Sequence, residues 1–141
     1  MNLNCTFCKV IDNTIPVHKI HEDDTTLSFL DINPLALGHA LVIPKVHKTL
    51  IHELAPEEIS ALFKTTSYLT KKIHIITGTH ATTIAINNGA DSGQEVPHIH
   101  VHIIPRSRGD GGTPIHSLMP VRPKTNHEEL KELASKILNS Q

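Results

Sequence analysis

Three histidines stand at alternate positions, His98, His100 and His102, within the run Pro97-His98-Ile99-His100-Val101-His102-Ile103-Ile104-Pro105. On a strand, residues two apart share a face. The three imidazoles therefore fall on one side, with Ile99, Val101 and Ile103 on the other. The aliphatic side can be buried, which fixes the strand and leaves a row of nitrogen heterocycles that packing does not require. A single histidine on a strand is commonly a solvated side chain; three opposite a purely aliphatic face point to chemistry. Near neutral pH an imidazole can ligate a metal, hold a phosphate, or attack as a nucleophile while its neighbours move the proton. The segment upstream suits the last option. Gly89, Gly93 and the backbone from Ser92 to Val96 can offer N–H groups to phosphate oxygens, because glycine lets backbone come close. Loop and histidine run together suit phosphoryl or nucleotidyl transfer.

Cys5-Thr6-Phe7-Cys8 is a second reactive group, a C-x-x-C whose spacing suits a zinc site, a redox pair or coincidence. A redox pair is expected beside a thioredoxin-like β-α-β pattern, which the surrounding residues lack. Structural zinc takes four ligands, so two more must come from elsewhere, and His47 and His98 are candidates.

Composition narrows the setting. A chain of 141 residues is expected to form one domain. It can bury roughly 68–70% of its unfolded surface without staples. With three Phe, one Tyr and no Trp, its core must be aliphatic. A formal net charge of −1 gives no electrostatic case for a general nucleic-acid binder, so no nucleic-acid partner is expected. No apolar run approaches transmembrane length, and residues Met1 to Cys5 show no basic stretch leading into an apolar one. Two cysteines do not make a secreted disulfide framework. The expectation is a soluble cytoplasmic protein with no membrane partner.

Several elements must position these residues. Cys5 to Asp12 reads as a helical turn, ended by Ile15-Pro16. His18–Glu22 and Thr26–Asp31 read as strands around the acidic turn Glu22-Asp23-Asp24. Ala40–Ile43 is a continuous apolar run that suits a buried strand ending at Pro44. Pro56–Thr77 is the best helical pattern, with Ile59, Leu62, Phe63, Leu69, Ile73 and Ile76 as its buried face and Gly78 as its stop. Ala55 is a poor cap, which leaves that boundary loose. Thr82–Ile86 is expected to pair with His98–Ile104 as an antiparallel hairpin around the long loop that begins at Asn87-Asn88-Gly89. Ser107 to Pro114 reads as a mobile segment. Asn126 caps a final helix, with Glu129 completing a capping box and an apolar stripe of Leu130, Leu133, Ala134, Ile137 and Leu138.

The run His98-Ile99-His100-Val101-His102-Ile103-Ile104 resembles the signature of the histidine triad (HIT) superfamily. The resemblance extends upstream through Phe7, Phe29-Leu30-Asp31-Ile32-Asn33-Pro34, Gly38-His39-Ala40-Leu41-Val42-Ile43-Pro44, Asn87-Asn88-Gly89 and Gly93-Gln94-Glu95-Val96. It covers a motif-bearing core of residues 5–106, with 107–141 as a variable tail of the same HIT domain. It implies an α+β fold: a five-stranded antiparallel sheet with one long helix and a C-terminal helix, the sheet continuing across a homodimer. It further implies that His100 is the nucleophile attacking the α-phosphorus of a nucleotide conjugate. His102 would contact the phosphate and assist the leaving group, and His39 and His98 would orient the site. Asp31 would accept from the ribose hydroxyls, and Asn87, Gly93 and Val96 match phosphate-contacting positions. Phe7, Val10, Phe29, Ile32 and Leu41 match an apolar purine pocket, although Phe7, Phe29 and Leu41 taken alone read as core, and Asp31 taken alone reads equally as a turn residue or a functional one.

The cysteine pair resembles a bacterial-type subset that binds structural zinc, and there the remaining ligands match His47 and His98. No organic cofactor is implied. Two departures stand out. Glu95 occupies a position that is Ser or Thr in well-studied branches, and the tail lacks the Trp-bearing ending of the Hint branch. The implied activity is Hint-like hydrolysis of purine nucleoside phosphoramidates or similar AMP conjugates. The alternatives are a dinucleoside polyphosphate hydrolase or phosphorylase and a nucleotide-binding regulator.

Overall fold

A computed structural model describes residues 4–140. The element order is α1 (Thr6–Ile11), β1 (Lys19–Glu22), β2 (Thr26–Leu30), β3 (Ala40–Pro44), α2 (Pro56–Thr77), β4 (Ala81–Ala85), β5 (Val101–Arg106) and α3 (His127–Leu138), with short 3-10 turns at Ile51–Glu53, Ala90–Ser92 and Ile115–Ser117. The strands form a five-stranded sheet in the order β1-β2-β3-β5-β4, with every neighbouring pair antiparallel. This is the α+β sheet that the resemblance implies. The chain falls into two compact units, one ending at Asp110 and the other beginning at Gly111.

The central strands are apolar on both faces because both are covered. Ala40, Val42, Val101 and Ile103 pack with Leu62, Leu69 and Ile73 of α2. On the opposite face Leu27, Phe29, Leu41 and Ile43 pack with Phe7 and Val10 of α1. A buried pair of hydroxyls, Thr26 Oγ1 and Thr65 Oγ1 at 2.9 Å, ties β2 to α2.

Helix α2 has the expected ends. Ala55 offers no side-chain acceptor, but the Glu58 carboxylate accepts from its N–H at 2.8 Å, so the helix starts cleanly at Pro56. At the other end Gly78 N–H donates to the His74 carbonyl. The expected buried face needs correction. Phe63 is 40% and Ile76 85% exposed, while Thr65 and Thr66 are buried. Leu62, Thr66, Leu69 and Ile73 follow the 3.6-residue period. Thr66 can join the core because its hydroxyl donates to the Leu62 carbonyl at 2.8 Å.

The hairpin forms with Ala81 opposite Arg106 and Ala85 opposite His102. Its second strand, however, starts at Val101 and not at His98. His98 and His100 lie just before the ladder, where Ile99 N–H bonds the Lys48 carbonyl at 2.7 Å. Beyond β5 the segment that reads as mobile begins with a defined turn, since the Asp110 carboxylate accepts two bonds from the Arg106 guanidinium and one from Ser107 N–H. In the second unit the Asn126–Glu129 capping box forms reciprocally at 2.9 and 3.0 Å. The stripe residues Leu130, Leu133, Ile137 and Leu138 of α3 are exposed.

Candidate active site and metal centre

The four-residue group at Cys5 and Cys8 is assembled by three elements. Cys5 sits at the N-cap of α1 and Cys8 within the helix, so one turn carries both sulfurs. His47 follows β3, and His98 precedes β5. Cys5 Sγ lies 3.6 Å from His98 Nδ1, Cys8 Sγ 3.4 Å from His47 Nδ1, and Cys8 Sγ 3.9 Å from His98 Nδ1. All four ligand atoms lie within 4.8 Å of one another. A tetrahedral ion bound at about 2.3 Å to sulfur and 2.0–2.1 Å to nitrogen sets ligand separations of about 3.3–3.8 Å, so the group fits a metal ion.

The tautomer fits as well. His98 Nε2 donates to the Pro44 carbonyl at 2.8 Å, which leaves the Nδ1 lone pair facing the sulfurs. Burial first of all depresses the His98 pKa to about 4, so the ring is neutral at pH 7, as a ligand must be.

On the same side of the sheet a cavity of about 510 Å³ opens beside these residues. Its apolar end is built from Phe7, Val10, Phe29 and Leu41, with the rings of Phe7 and Phe29 meeting edge to face at 5.6 Å. Its polar end holds Asp31, His39, Asn87, Glu95, His100 and His102. Ile32, Gly93 and Val96 also line it. Among the anticipated nucleotide and catalytic residues only His98 does not, because its ring turns to the cysteines. The three triad rings still share one side: His98 and His100 both pack on Phe7, and His100 packs on His102 at 4.9 Å.

Hydrogen bonds assign the proton on each ring. His100 Nδ1 lies 2.7 Å from the His98 carbonyl, which can only accept, so Nδ1 carries the proton and Nε2 keeps the lone pair. Leu35 N–H donates to His39 Nδ1 at 3.1 Å, so the proton of neutral His39 is on Nε2, 3.0 Å from His102 Nδ1. His102 therefore accepts at Nδ1 and carries its own proton on Nε2. Asp31 Oδ2 lies 3.6 Å from His39 Nε2, and Asp31 Oδ1 accepts from Asn33 N–H at 2.9 Å. The result is a lone pair on His100 beside a donor on His102, the pairing that nucleophilic attack with leaving-group protonation needs.

Burial is the main cause holding all three cavity imidazoles below the usual histidine range. For His102, reinforced by neighbouring His100 and His39, the depression reaches about 4. The bond to the His98 carbonyl, and after it the charges of Asp31 and Glu95, pull His100 partly back up.

His39 is held by its own loop. Gly38 before it has φ +89°, and a Cβ there would meet the Thr77 side chain at 2.8 Å, so only glycine fits. The loop after β4 is also tied down. Gly89 N–H donates to Gln94 Oε1, Gln94 Nε2 to the Thr49 carbonyl, and Ile51 N–H to Asn88 Oδ1, each at 2.8 Å. Gly93 takes φ +92°, and Asn87 Nδ2 donates to its carbonyl at 3.3 Å.

Ile15, Val17, Asn33 and Leu35 line the cavity without having been anticipated. The Ile15-Pro16-Val17 stretch carried only a helix-breaking signal, and Leu35 contributes its backbone, which no side-chain pattern reveals.

The β3–β5 core thus places His100 and His102 on the wall of a cavity that is also lined by Phe7, Phe29 and Leu41. Residues 12–109 match the family described as HIT domain. The chain is 37% identical to adenosine 5'-monophosphoramidase hnt1 of Schizosaccharomyces pombe over 136 residues, 96% of each protein. It is 40% identical to adenylylsulfatase HINT3 of Arabidopsis thaliana over 107 residues, where the match spans 76% of this chain but 54% of the relative. The crystal structure of a HIT family protein from Bacillus anthracis superposes with a TM-score of 0.86 at 37% identity, covering 99% of this chain and 98% of that one. The chain belongs to the HIT family.

Proposed function

We propose that this protein is a nucleotide hydrolase that cleaves purine nucleoside phosphoramidates or related AMP conjugates at the α-phosphorus. The observation that carries this reading is the bond from His100 Nδ1–H to the His98 carbonyl, which leaves Nε2 as a lone pair in the cavity. In the first step Nε2 attacks phosphorus, a P–N bond to His100 forms, and the bond to the leaving group breaks. The departing atom takes the proton from His102 Nε2. In the second step water gives a proton back to His102 Nε2 as its oxygen bonds the phosphorus, the P–N bond to His100 breaks, and the nucleoside monophosphate leaves. The apolar end takes the purine, Asp31 accepts from the ribose hydroxyls, and Asn87, Gly93 and Val96 hold phosphate oxygens. His39 orients His102. The names of the S. pombe and A. thaliana relatives support the same class of reaction.

Two carboxylates and, among the described residues, no lysine or arginine line the cavity. That lining opposes a polyphosphate chain and favours a substrate with one phosphate. The test is a side-by-side turnover assay of adenosine phosphoramidate and diadenosine tetraphosphate. Preference for the phosphoramidate supports the reading. Preference for the tetraphosphate moves the protein to dinucleotide hydrolysis, and turnover of neither leaves nucleotide-dependent regulation. The same assay with 2′-deoxyadenosine substrates tests Asp31: Asp31→Ala should erase a ribose preference of about tenfold.

Zinc is the ion best matched to two thiolates and two imidazoles, with a purely structural role that anchors α1 and His98. The sheet edge at β4, with Ile84 48% exposed and Ile75 and Ile76 of α2 exposed nearby in sequence, supports a homodimer through that edge. Sedimentation showing one chain per particle at micromolar concentration would remove the dimer. No helix among the described residues is long and apolar enough to cross a membrane. We read the chain as a single HIT domain with a variable tail, working in the cytoplasm; cell fractionation tests the location.

A pH profile provides a further check. Neutral His100 is the reactive form, and burial holds its pKa below the ordinary histidine value of about 6.5. The acid limb of kcat/KM is therefore expected below pH 6.5, with a plateau through neutrality. Stability moves in the same direction. The unfolded chain binds protons that His102 refuses between pH 6.5 and about 4, so stability is complete above that window and is lost as pH falls through it. An acid limb centred above pH 6.5 would contradict the neutral-nucleophile assignment.

A further inference from the structure

We infer that Glu95 makes this cavity selective for phosphoramidates whose departing amine carries an additional positive charge. The inference rests on the phosphoramidase reading and specifies its leaving group. Glu95 lines the polar end of the cavity, together with His100, His102, Asn87 and Gly93. It is two residues past Gly93 in the loop that Gln94 fixes to Gly89 and Thr49, so its backbone is held in place. The other carboxylate on the wall, Asp31, is engaged by Asn33 N–H and lies against His39.

A carboxylate is a poor neighbour for a phosphate. It repels the anionic substrate and, by itself, gives the first step no benefit. A compensating charge must come from the substrate, since no lysine or arginine lines the cavity among the described residues. The purine occupies the apolar end, and the attacked phosphorus must lie within reach of His100 Nε2. The leaving group then departs on the side of phosphorus opposite His100, and Glu95 is an exposed residue of the cavity wall. An ammonium group on that leaving group offsets the Glu95 charge, whereas a carboxylate there adds to the repulsion. The chemistry balances as for any phosphoramidate: the P–N bond to the amine breaks, the amine nitrogen takes a proton, and its second ammonium group is unchanged throughout. The substrate class is thus a nucleoside phosphoramidate of a diamine or of a basic amino-acid derivative.

The test uses three adenosine phosphoramidates of similar size, made from ethylenediamine (cationic tail), propylamine (neutral) and β-alanine (anionic). Intrinsic reactivity differs among the amines, so each kcat/KM ratio is compared between the wild type and Glu95→Gln, where that difference cancels. For a partly solvated pair the cationic-to-neutral ratio should fall about fivefold in Glu95→Gln, and the anionic-to-neutral ratio should rise by a similar factor. Both changes should shrink as salt is added. Ratios equal in the two proteins, with activity retained, would overturn the inference and leave the phosphoramidase reading standing. If the wild type hydrolyses none of the three, that reading fails. Calorimetric binding of the three compounds to His100→Ala with and without Glu95→Gln then still decides the charge preference: equal affinities overturn it, and loss of the cationic preference upholds it.

Discussion

Replacing His100 with alanine is expected to lower turnover of adenosine phosphoramidate by about 10⁴-fold or more, as removal of a covalent nucleophile does in other enzymes. Nucleotide affinity should change by no more than a few-fold. The reason is a division of labour within the cavity. On this account binding draws on the apolar end around Phe7, Val10, Phe29 and Leu41 and on Asp31, and His100 meets Phe7 edge to face at 5.2 Å while Phe29 packs on the same ring. Bond formation draws on the one lone pair that the His98 carbonyl directs to Nε2. Parallel measurement of single-turnover rate and of AMP affinity separates the two. Activity within tenfold of wild type would remove His100 from the nucleophile's role. A parallel collapse of AMP affinity would mean that the histidine shapes the pocket instead.

The second large effect is expected at the metal group. Cys8→Ser, or prolonged chelation of the wild-type protein, should remove near-stoichiometric zinc and lower the melting temperature by about 10 °C or more. A shift of that size follows because an ion held by Cys5, Cys8, His47 and His98 would tie α1 to the segment before β5, and in a domain of this size each kcal/mol shifts the midpoint by roughly 2–8 °C. Activity should fall too, although no ligand touches the substrate. His98 joins the two sites: its Nδ1 faces the sulfurs while its carbonyl accepts from His100. Loosening His98 loosens the atom that sets the His100 tautomer. Elemental analysis with differential scanning calorimetry checks this. A metal-free preparation with full activity and an unshifted midpoint would contradict it.

These expectations depend on features that were unequally visible in the chain. The alternation of imidazole and aliphatic residues from His98 to Ile103 signalled the site because period-2 patterning is strong where one face is buried. The strand nonetheless begins only at Val101, because just before it Ile99 N–H bonds the Lys48 carbonyl and the His98 ring bonds the Pro44 carbonyl. Helix α2 was legible at both ends, by Pro56 and Gly78, yet its buried face was partly hidden. Thr65 and Thr66 occupy stripe positions, and residue type alone does not show that a hydroxyl bonds back to the turn before it. The tautomer relay through Leu35, His39 and His102 was not legible at all, because its first donor is a backbone N–H in an irregular loop. The Cys5/Cys8 pair gave its own spacing but offered His47 and His98 only as candidate partners. Bringing His47 and His98 to it requires the β3 and β5 segments to be adjacent, which is a property of the sheet order.

The central claim is covalent catalysis by His100. The most direct measurement is rapid acid or denaturant quench during turnover of adenosine phosphoramidate, followed by mass spectrometry with fragmentation that localises any adduct to a residue. An adenylyl group on His100, formed and lost at rates that account for turnover and absent from His100→Ala, is the predicted result. Steady release of AMP with no adduct at any time point, or an adduct localised to His102, would contradict the account.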